Sequence, residues 1–235
     1  MDYTYLEENF NAVYAEMAAA KSVADRADDI LLVAAAKSAT ADQLTYAHEH
    51  LGLTDIGENR VQQLLEHWEA VPRSLRFHFI GSLQTNKVKY IIDKVTMIHS
   101  LDSDRLAAEI ERQAAKRDIS MDVLVEINSG REPNKTGIWP EEAADFCQHL
   151  DAYPHLRLRG FMTMAPKCEK NEEFCKYFEE TSALALDIWQ KKLDNIDKPV
   201  LSMGMSESFA AAITSGATIV RVGRRLFAQP DTVTH

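Results

Sequence analysis

Cysteine is scarce in this chain: Cys147, Cys168 and Cys175 are the three in 235 residues. The number is odd, no two form a CxxC pair, and no histidines stand near them at zinc-ligand spacing, which excludes a disulfide framework or zinc-ribbon site and points to a reducing, cytoplasmic setting. No Pro/Gly/Ser linker or low-complexity tract divides the chain, so a single domain over residues 1–235 is expected. No apolar run approaches the roughly 18 residues of a membrane helix, and the opening MDYTYLEENF is acidic where an export signal would be basic. Neither membrane association nor export is expected. Twenty-six basic residues face 36 acidic ones, a formal net charge of −10, and no basic block interrupts that balance. A phosphate-backbone footprint, and with it a nucleic-acid partner, is not expected. GxGxxG, P-loop, HExxH, EF-hand and GxSxG motifs are all missing, so nothing in the sequence directly supports a nucleotide fold or a metal site.

The residues that are present describe an ordinary globular chain, 46% hydrophobic and 26% charged, long enough to bury about 70% of its surface. Eight apolar runs of strand length recur: Ile30–Lys37, Asp55–Asn59, Arg76–Gly81, Met97–Asp102, Met121–Asn128, Leu156–Met164, Val200–Met205 and Ile219–Arg224. Runs such as ILLVAAA and VLVEI are nearly continuously apolar, the pattern of parallel strands covered on both faces. Helix punctuation lies between them. Thr40 and Gln43 form a capping box, Pro140 suits a first helical turn, and Gly216 ends a helix that begins near Ser206. Leu6, Phe10, Val13 and Met17 share one helical face, as do Phe174, Tyr177, Phe178, Leu184 and Ile188, so both segments should pack inward. Eight βα alternations in this length predict an α/β fold, a single (β/α)₈ barrel of TIM type rather than an open doubly wound sheet. About ten residues follow the last strand; the N-terminal helix is therefore expected to complete the outer ring.

In a parallel barrel the C-terminal strand ends face one mouth, where binding residues gather. Lys37 ends ILLVAAAK, and an apolar wall beneath it would restrict hydration, favouring a neutral amine that attacks a carbonyl. A solvated lysine at a strand end is the plainer alternative. Ser206 opens SESFAAAITSG after a strand, where it serves as a cap or joins a helix N-terminus in holding phosphate. Gly223 lets an anion approach the backbone and Arg224 adds charge; barrel geometry and a solvated rim explain both equally well. Arg221, two residues before Gly223, points to the same side. There it meets a ligand ring or joins a buried ion pair. Asn59 orients a ligand or caps the next helix, and His78 stacks at the mouth or is a satisfied core histidine. Glu126, Asn128 and Lys135 are weaker candidates that polar loops explain as well.

Taken in order, AAAKSAT, GENRVQQ, FHFIGSLQTNK, IHSLDS, VLVEINSGREPNKTGI, LRGFMTMAP, LSMGMSESFAAAITSGAT and VRVGRRLF resemble the pyridoxal-phosphate homeostasis proteins, the YggS/PROSC family. The likeness runs from about residue 4 to 228. It implies a barrel like the N-terminal domain of alanine racemase, holding pyridoxal 5′-phosphate as an internal aldimine. By that resemblance Lys37 is the Schiff-base lysine, Ser206 and Gly223 bind phosphate, Arg221 meets the ring nitrogen, and Asn59 lies near the cofactor. Two departures from the family matter. Ala39 stands where members often carry a second lysine, so transfer between neighbouring lysines is not expected there. Arg224 and Arg225 follow Gly223 where GTA is common, so a threonine hydroxyl is lost, and Arg224 is expected to offer charge or its backbone N–H instead. The implied role is a carrier that buffers or delivers the cofactor in vitamin B6 homeostasis, without catalytic turnover, to pyridoxal-phosphate-dependent apoenzymes, and as a monomer. Racemisation needs acid/base groups on both faces of the substrate carbon, and no second base is evident. A racemase-like enzyme or a Schiff-base aldolase is the alternative.

Overall fold

All eight apolar runs form strands in the computed structural model, which describes residues 2–168, 170–192 and 198–229. They are β1 (Leu31–Ala35), β2 (Asp55–Glu58), β3 (Arg76–Phe79), β4 (Met97–Leu101), β5 (Met121–Ile127), β6 (Leu156–Thr163), β7 (Val200–Ser202) and β8 (Ile219–Val222). Each pairs in parallel with the next, and β8 returns to β1 with Val33 opposite Arg221 and Ala34 opposite Val222, closing the barrel. Sequential order follows because each helical crossover carries the chain to the adjacent parallel strand with the same hand. Strands buried on both sides, such as β2 and β8, have every residue buried.

The outer layer comprises α1 (Thr4–Val23), α2 (Ala41–His50), α3 (Val61–Ala70), α4 (Val88–Ile91), α5 (Asp104–Ala115), α6 (Ala143–His149), α7 (Asn171–Lys192), α8 (Phe209–Thr214) and α9 (Arg224–Phe227). The Thr40–Gln43 capping box forms in full: Thr40 Oγ1 accepts from the Gln43 amide at 3.2 Å and Gln43 Oε1 accepts from the Thr40 amide at 2.7 Å. Pro140 opens a 3₁₀ turn, Pro140–Glu142, that leads into α6. Gly216 follows α8 at φ +105°, where a side chain would be strained, and its amide donates to Ile213 O.

The α1 helix buries Leu6, Phe10, Val13, Met17 and Ala20. It packs on α8 and α9, with the Phe10 ring edge-on to Phe227 at 6.0 Å and Asn9 Nδ2 donating to Leu226 O and Ala228 O. Since α9 is a single short turn, α1 supplies the cover that a full eighth helix would give. Each fully buried large side chain on that face contributes about 1.5–3 kcal/mol, enough to fasten the first helix over the β8–β1 junction. On α7, Phe178 and Ile188 are buried, while Phe174, Tyr177 and Leu184 are half-buried.

Candidate functional site

The rim is built where β1, β7 and β8 end side by side. Lys37 sits in a 3₁₀ turn, Ala36–Ser38, directly after β1. Ala34 and Ala36 beneath it are buried, but Lys37 itself is exposed; the expected restriction of its hydration is not what the fold supplies. The turn is fastened through backbone, Gln63 Nε2 donating to Lys37 O at 3.0 Å. Beside it, Gly223 lies against the end of β1: a Cβ there would come within 2.9 Å of Ala35 O and 3.2 Å of Ala35 Cβ. Glycine is needed for that approach, which brings the β8 end next to the lysine turn. Gly223 is also the N-cap of α9, so the amides of Arg224 and Arg225 have no carbonyl within the helix to bond.

Ser206 is half-buried in the turn after β7. It is not the helix cap that the sequence suggested. The N-cap of α8 is Ser208, whose Oγ accepts from the Met205 amide at 3.2 Å. Ser206 O instead accepts from Arg225 Nη1 at 3.4 Å, linking the turns after β7 and β8. Arg225 also pairs with Glu16 of α1 at 2.6 Å. The Arg224 side chain is 80% exposed and approaches Glu207 at 3.7 Å. Asn59 is half-buried at the end of β2. Arg60, not Asn59, is the N-cap of α3, which removes the capping alternative. Asn59 lines an open groove of 550 Å³ with Arg60, Gln62, Gln84 and Lys87.

Below the rim the interior is polar along one seam. Arg221 is 4% exposed; Nη1 donates to Ser202 O at 2.7 Å and Ser202 Oγ at 2.6 Å, and Nη2 donates to Thr163 O at 3.0 Å. Of five guanidinium N–H groups, the Nε–H and one Nη2–H have no protein acceptor among the described residues. Burial lowers the Arg221 pKa to about 10, opposed by the Glu126 charge. Glu126 is buried, accepts from Thr136 Oγ1 at 2.8 Å, and is raised above the usual carboxylate range by burial. His78 does not reach the mouth. Its Nε2 lies 2.8 Å from Asp55 Oδ1 and its Nδ1 2.9 Å from His99 Nε2, so both nitrogens are engaged within the barrel and the core-histidine alternative holds. Asn128 and Lys135 are occupied within one loop: Asn128 Nδ2 donates to Glu132 O, and Lys135 pairs with Glu132 at 2.5 Å.

Two members of the seam, Asp55 and His99, were not among the sequence candidates. The signal that finds them is a polar residue at an inward position of an apolar strand, as in IHSL, read with the period of two. The site as a whole offers an exposed amine, backbone N–H groups beside it that have no partner among the described residues, and a buried guanidinium with two such donors. That set suits a ligand carrying an electrophilic carbon, an anionic group and a hydrogen-bond acceptor.

Residues 9–230 match the family model for the alanine racemase N-terminal domain. The chain is 44% identical over 179 residues to the pyridoxal phosphate homeostasis protein of Aquifex aeolicus, covering 76% of this chain and 78% of that one. With its namesake from Helicobacter pylori it shares 32% over 233 residues, 97% of this chain and 99% of the other. A crystal structure of an unknown protein from Bifidobacterium adolescentis superposes with a TM-score of 0.89 at 30% identity, covering 97% of each chain. The structure of PipY from Synechococcus elongatus with PLP bound superposes with a TM-score of 0.76 at 28% identity, covering 85% of this chain and 92% of PipY. The chain therefore belongs to the pyridoxal phosphate homeostasis proteins, a branch of the family defined by the alanine racemase N-terminal domain.

Proposed function

We propose that this protein binds pyridoxal 5′-phosphate at the β1/β7/β8 rim and acts in vitamin B6 homeostasis as a carrier rather than an enzyme. The observation that carries this reading is the approach of Gly223 to Ala35, which sets the amides that begin α9 beside the Lys37 turn. When bound, the cofactor supplies an aldehyde carbon that an amine captures with loss of water and that water frees again. Lys37 is the proposed amine. Ser206 and the backbone N–H groups of Gly223 and Arg224 are the proposed phosphate donors, and the spare Arg221 N–H groups face the ring nitrogen. Asn59 orients the ligand at the β2 side. The exposure of Lys37 favours exchange with solvent, which a carrier needs. The names of the curated relatives and the PLP-bound PipY structure support the same role. One barrel domain, working as a monomer and delivering to pyridoxal-phosphate-dependent apoenzymes, completes the proposal; the strand ends of one chain assemble the rim.

The test is spectroscopic. Wild-type protein incubated with pyridoxal phosphate should develop a visible absorption band that Lys37→Ala lacks, and borohydride reduction followed by peptide mapping should place the label on Lys37. Label on another lysine overturns the assignment. Turnover of alanine or another amino acid by the loaded protein would replace the carrier with a racemase-like enzyme. Reductive trapping of a sugar carbonyl without any cofactor band would replace it with an aldolase.

A further inference from the structure

The rim reading leaves unexplained why a barrel core should hold two histidines, an aspartate and a serine in line. Asp55, His78, His99, Ser202 and Arg221 are all less than 5% exposed. Asp55 begins β2 at the lower face, where the exposed Arg76 donates to it from Nε at 2.8 Å and Nη2 at 2.5 Å. From there the contacts run upward: Asp55 Oδ1 to His78 Nε2 at 2.8 Å, His78 Nδ1 to His99 Nε2 at 2.9 Å, His99 Nδ1 to Ser202 Oγ at 3.0 Å, and Ser202 Oγ to Arg221 Nη1 at 2.6 Å.

Counting donors fixes the direction of every link. A guanidinium donates and never accepts, so Ser202 Oγ accepts from Arg221 and its own proton must go elsewhere. Among the described residues its acceptor is His99 Nδ1. That leaves His99 with its proton on Nε2, which donates to His78 Nδ1. His78 in turn carries its proton on Nε2 and donates to the Asp55 carboxylate. Adding a proton to either ring would set two N–H groups face to face or strand the serine hydroxyl. For His99 the surroundings agree: burial above all holds it well below the ordinary imidazole range. Burial pushes the Asp55 carboxyl up, but hydrogen bonds from His78, Arg76 and Thr54 outweigh it and hold it well below the usual carboxylate range.

We infer that Asp55, His78, His99 and Ser202 are positioning residues for Arg221, forming a one-way hydrogen-bond chain anchored at the lower face of the barrel. The chain fixes both imidazoles as neutral Nε2–H tautomers and commits Nη1 of Arg221 to Ser202; with one Nη2–H on Thr163 O, the Nε–H and the other Nη2–H are held for the ligand. This rests on the proposed reading in which Arg221 meets the ring nitrogen. It carries a consequence that reading lacks: a substitution at Asp55, on the opposite face of the barrel from Lys37, should reach the cofactor.

The experiment uses full-length protein labelled with ¹⁵N-histidine, first without cofactor. Two-bond ¹H–¹⁵N correlation at pH 7 should show His78 and His99 as Nε2–H tautomers in the wild type and in Lys37→Ala alike. Asp55→Ala should shift at least one ring toward Nδ1–H and weaken pyridoxal phosphate retention by roughly three- to tenfold, the scale of one ordinary lost hydrogen bond. Should Asp55→Ala not fold, Ser202→Ala tests the link next to Arg221, which keeps its Ser202 O and Thr163 O acceptors; the same range of weakening is expected. An imidazolium or Nδ1–H assignment in the wild type overturns the chain, as do Asp55→Ala and Ser202→Ala proteins that retain cofactor like the wild type. A wild-type protein that takes up no cofactor instead removes the rim reading, while the tautomers still decide whether the chain exists.

Discussion

Arg221 and Arg224 stand three residues apart, one inside the barrel with three hydrogen bonds, the other on the rim with its side chain 80% exposed and a 3.7 Å approach to Glu207. The interior and the rim obey different rules. Inside, an unpaired polar group is costly, so apart from the two spare Arg221 N–H groups the seam's donors meet acceptors, and side-chain identity and tautomer are fixed together. On the rim, solvent satisfies the side chains and the backbone does the defining: the turn holding Lys37, the Gly223 contact with Ala35, and the amides that begin α9. The Arg221 charge in the first region is held by the protein itself, whereas the Arg224 charge in the second is left to solvent.

The largest expected effect that tests this contrast is Arg221→Leu. It strips donors from Ser202 and Thr163 and leaves Glu126 facing no compensating charge, so we expect a loss of about 3 kcal/mol in urea unfolding together with loss of cofactor retention. A loss below about 0.5 kcal/mol would place Arg221 among surface residues in energetic terms and erase the contrast. Next is the acid limb of the stability curve. The folded Asp55 pKa is depressed, so its contribution is complete above the unfolded value near ~3.9 and is lost as pH falls from there toward the folded value. Wild-type protein should lose on the order of 2 kcal/mol on that account below about pH 4. Asp55→Ala should be less stable at pH 6 and lose less between pH 4 and 2; parallel acid limbs for the two proteins would remove Asp55 from the interior network.

The strands could be read from the sequence because burial on both faces writes itself as unbroken apolar runs, and the α2 start because Thr40 and Gln43 carry the whole cap locally. Local signals also misled. In SESF, Ser206 and Ser208 are equally good caps by type; α8 starts at Phe209, which is buried with Ala211, Ala212 and Ile213, so Ser208 takes the N-cap position, and its side chain makes no cap hydrogen bond. His78 looked like a mouth residue because it lies near a strand end, yet height within a barrel depends on strand tilt and stagger, which no single strand reveals. The seam was invisible for a different reason. Its links join residues 21, 23 and 103 positions apart, and only closure of the barrel makes them neighbours. Lys37, Gly223 and Arg221 were candidates because they lie at or near C-terminal strand ends, and closure of the barrel sets the β8 end beside the β1 end.

The smaller effects belong to the rim and separate its backbone from its side chains. Ser206→Ala should leave stability within about 0.5 kcal/mol, as for surface substitutions that touch no special feature, yet release cofactor phosphate more readily, by about fivefold if one hydroxyl donor is lost. Equilibrium dialysis against pyridoxal phosphate reads this directly, and unchanged affinity removes Ser206 from the cradle. Arg224→Gln should do least of all: the Glu207 approach is an exposed one that contributes within about 0.5 kcal/mol, and the backbone N–H survives the substitution. Cofactor retention within twofold of wild type at low and at moderate salt is the expected result. A tenfold loss at low salt that vanishes as salt rises would show the Arg224 guanidinium acting on the phosphate through its charge, and would move part of the rim's function from backbone to side chain.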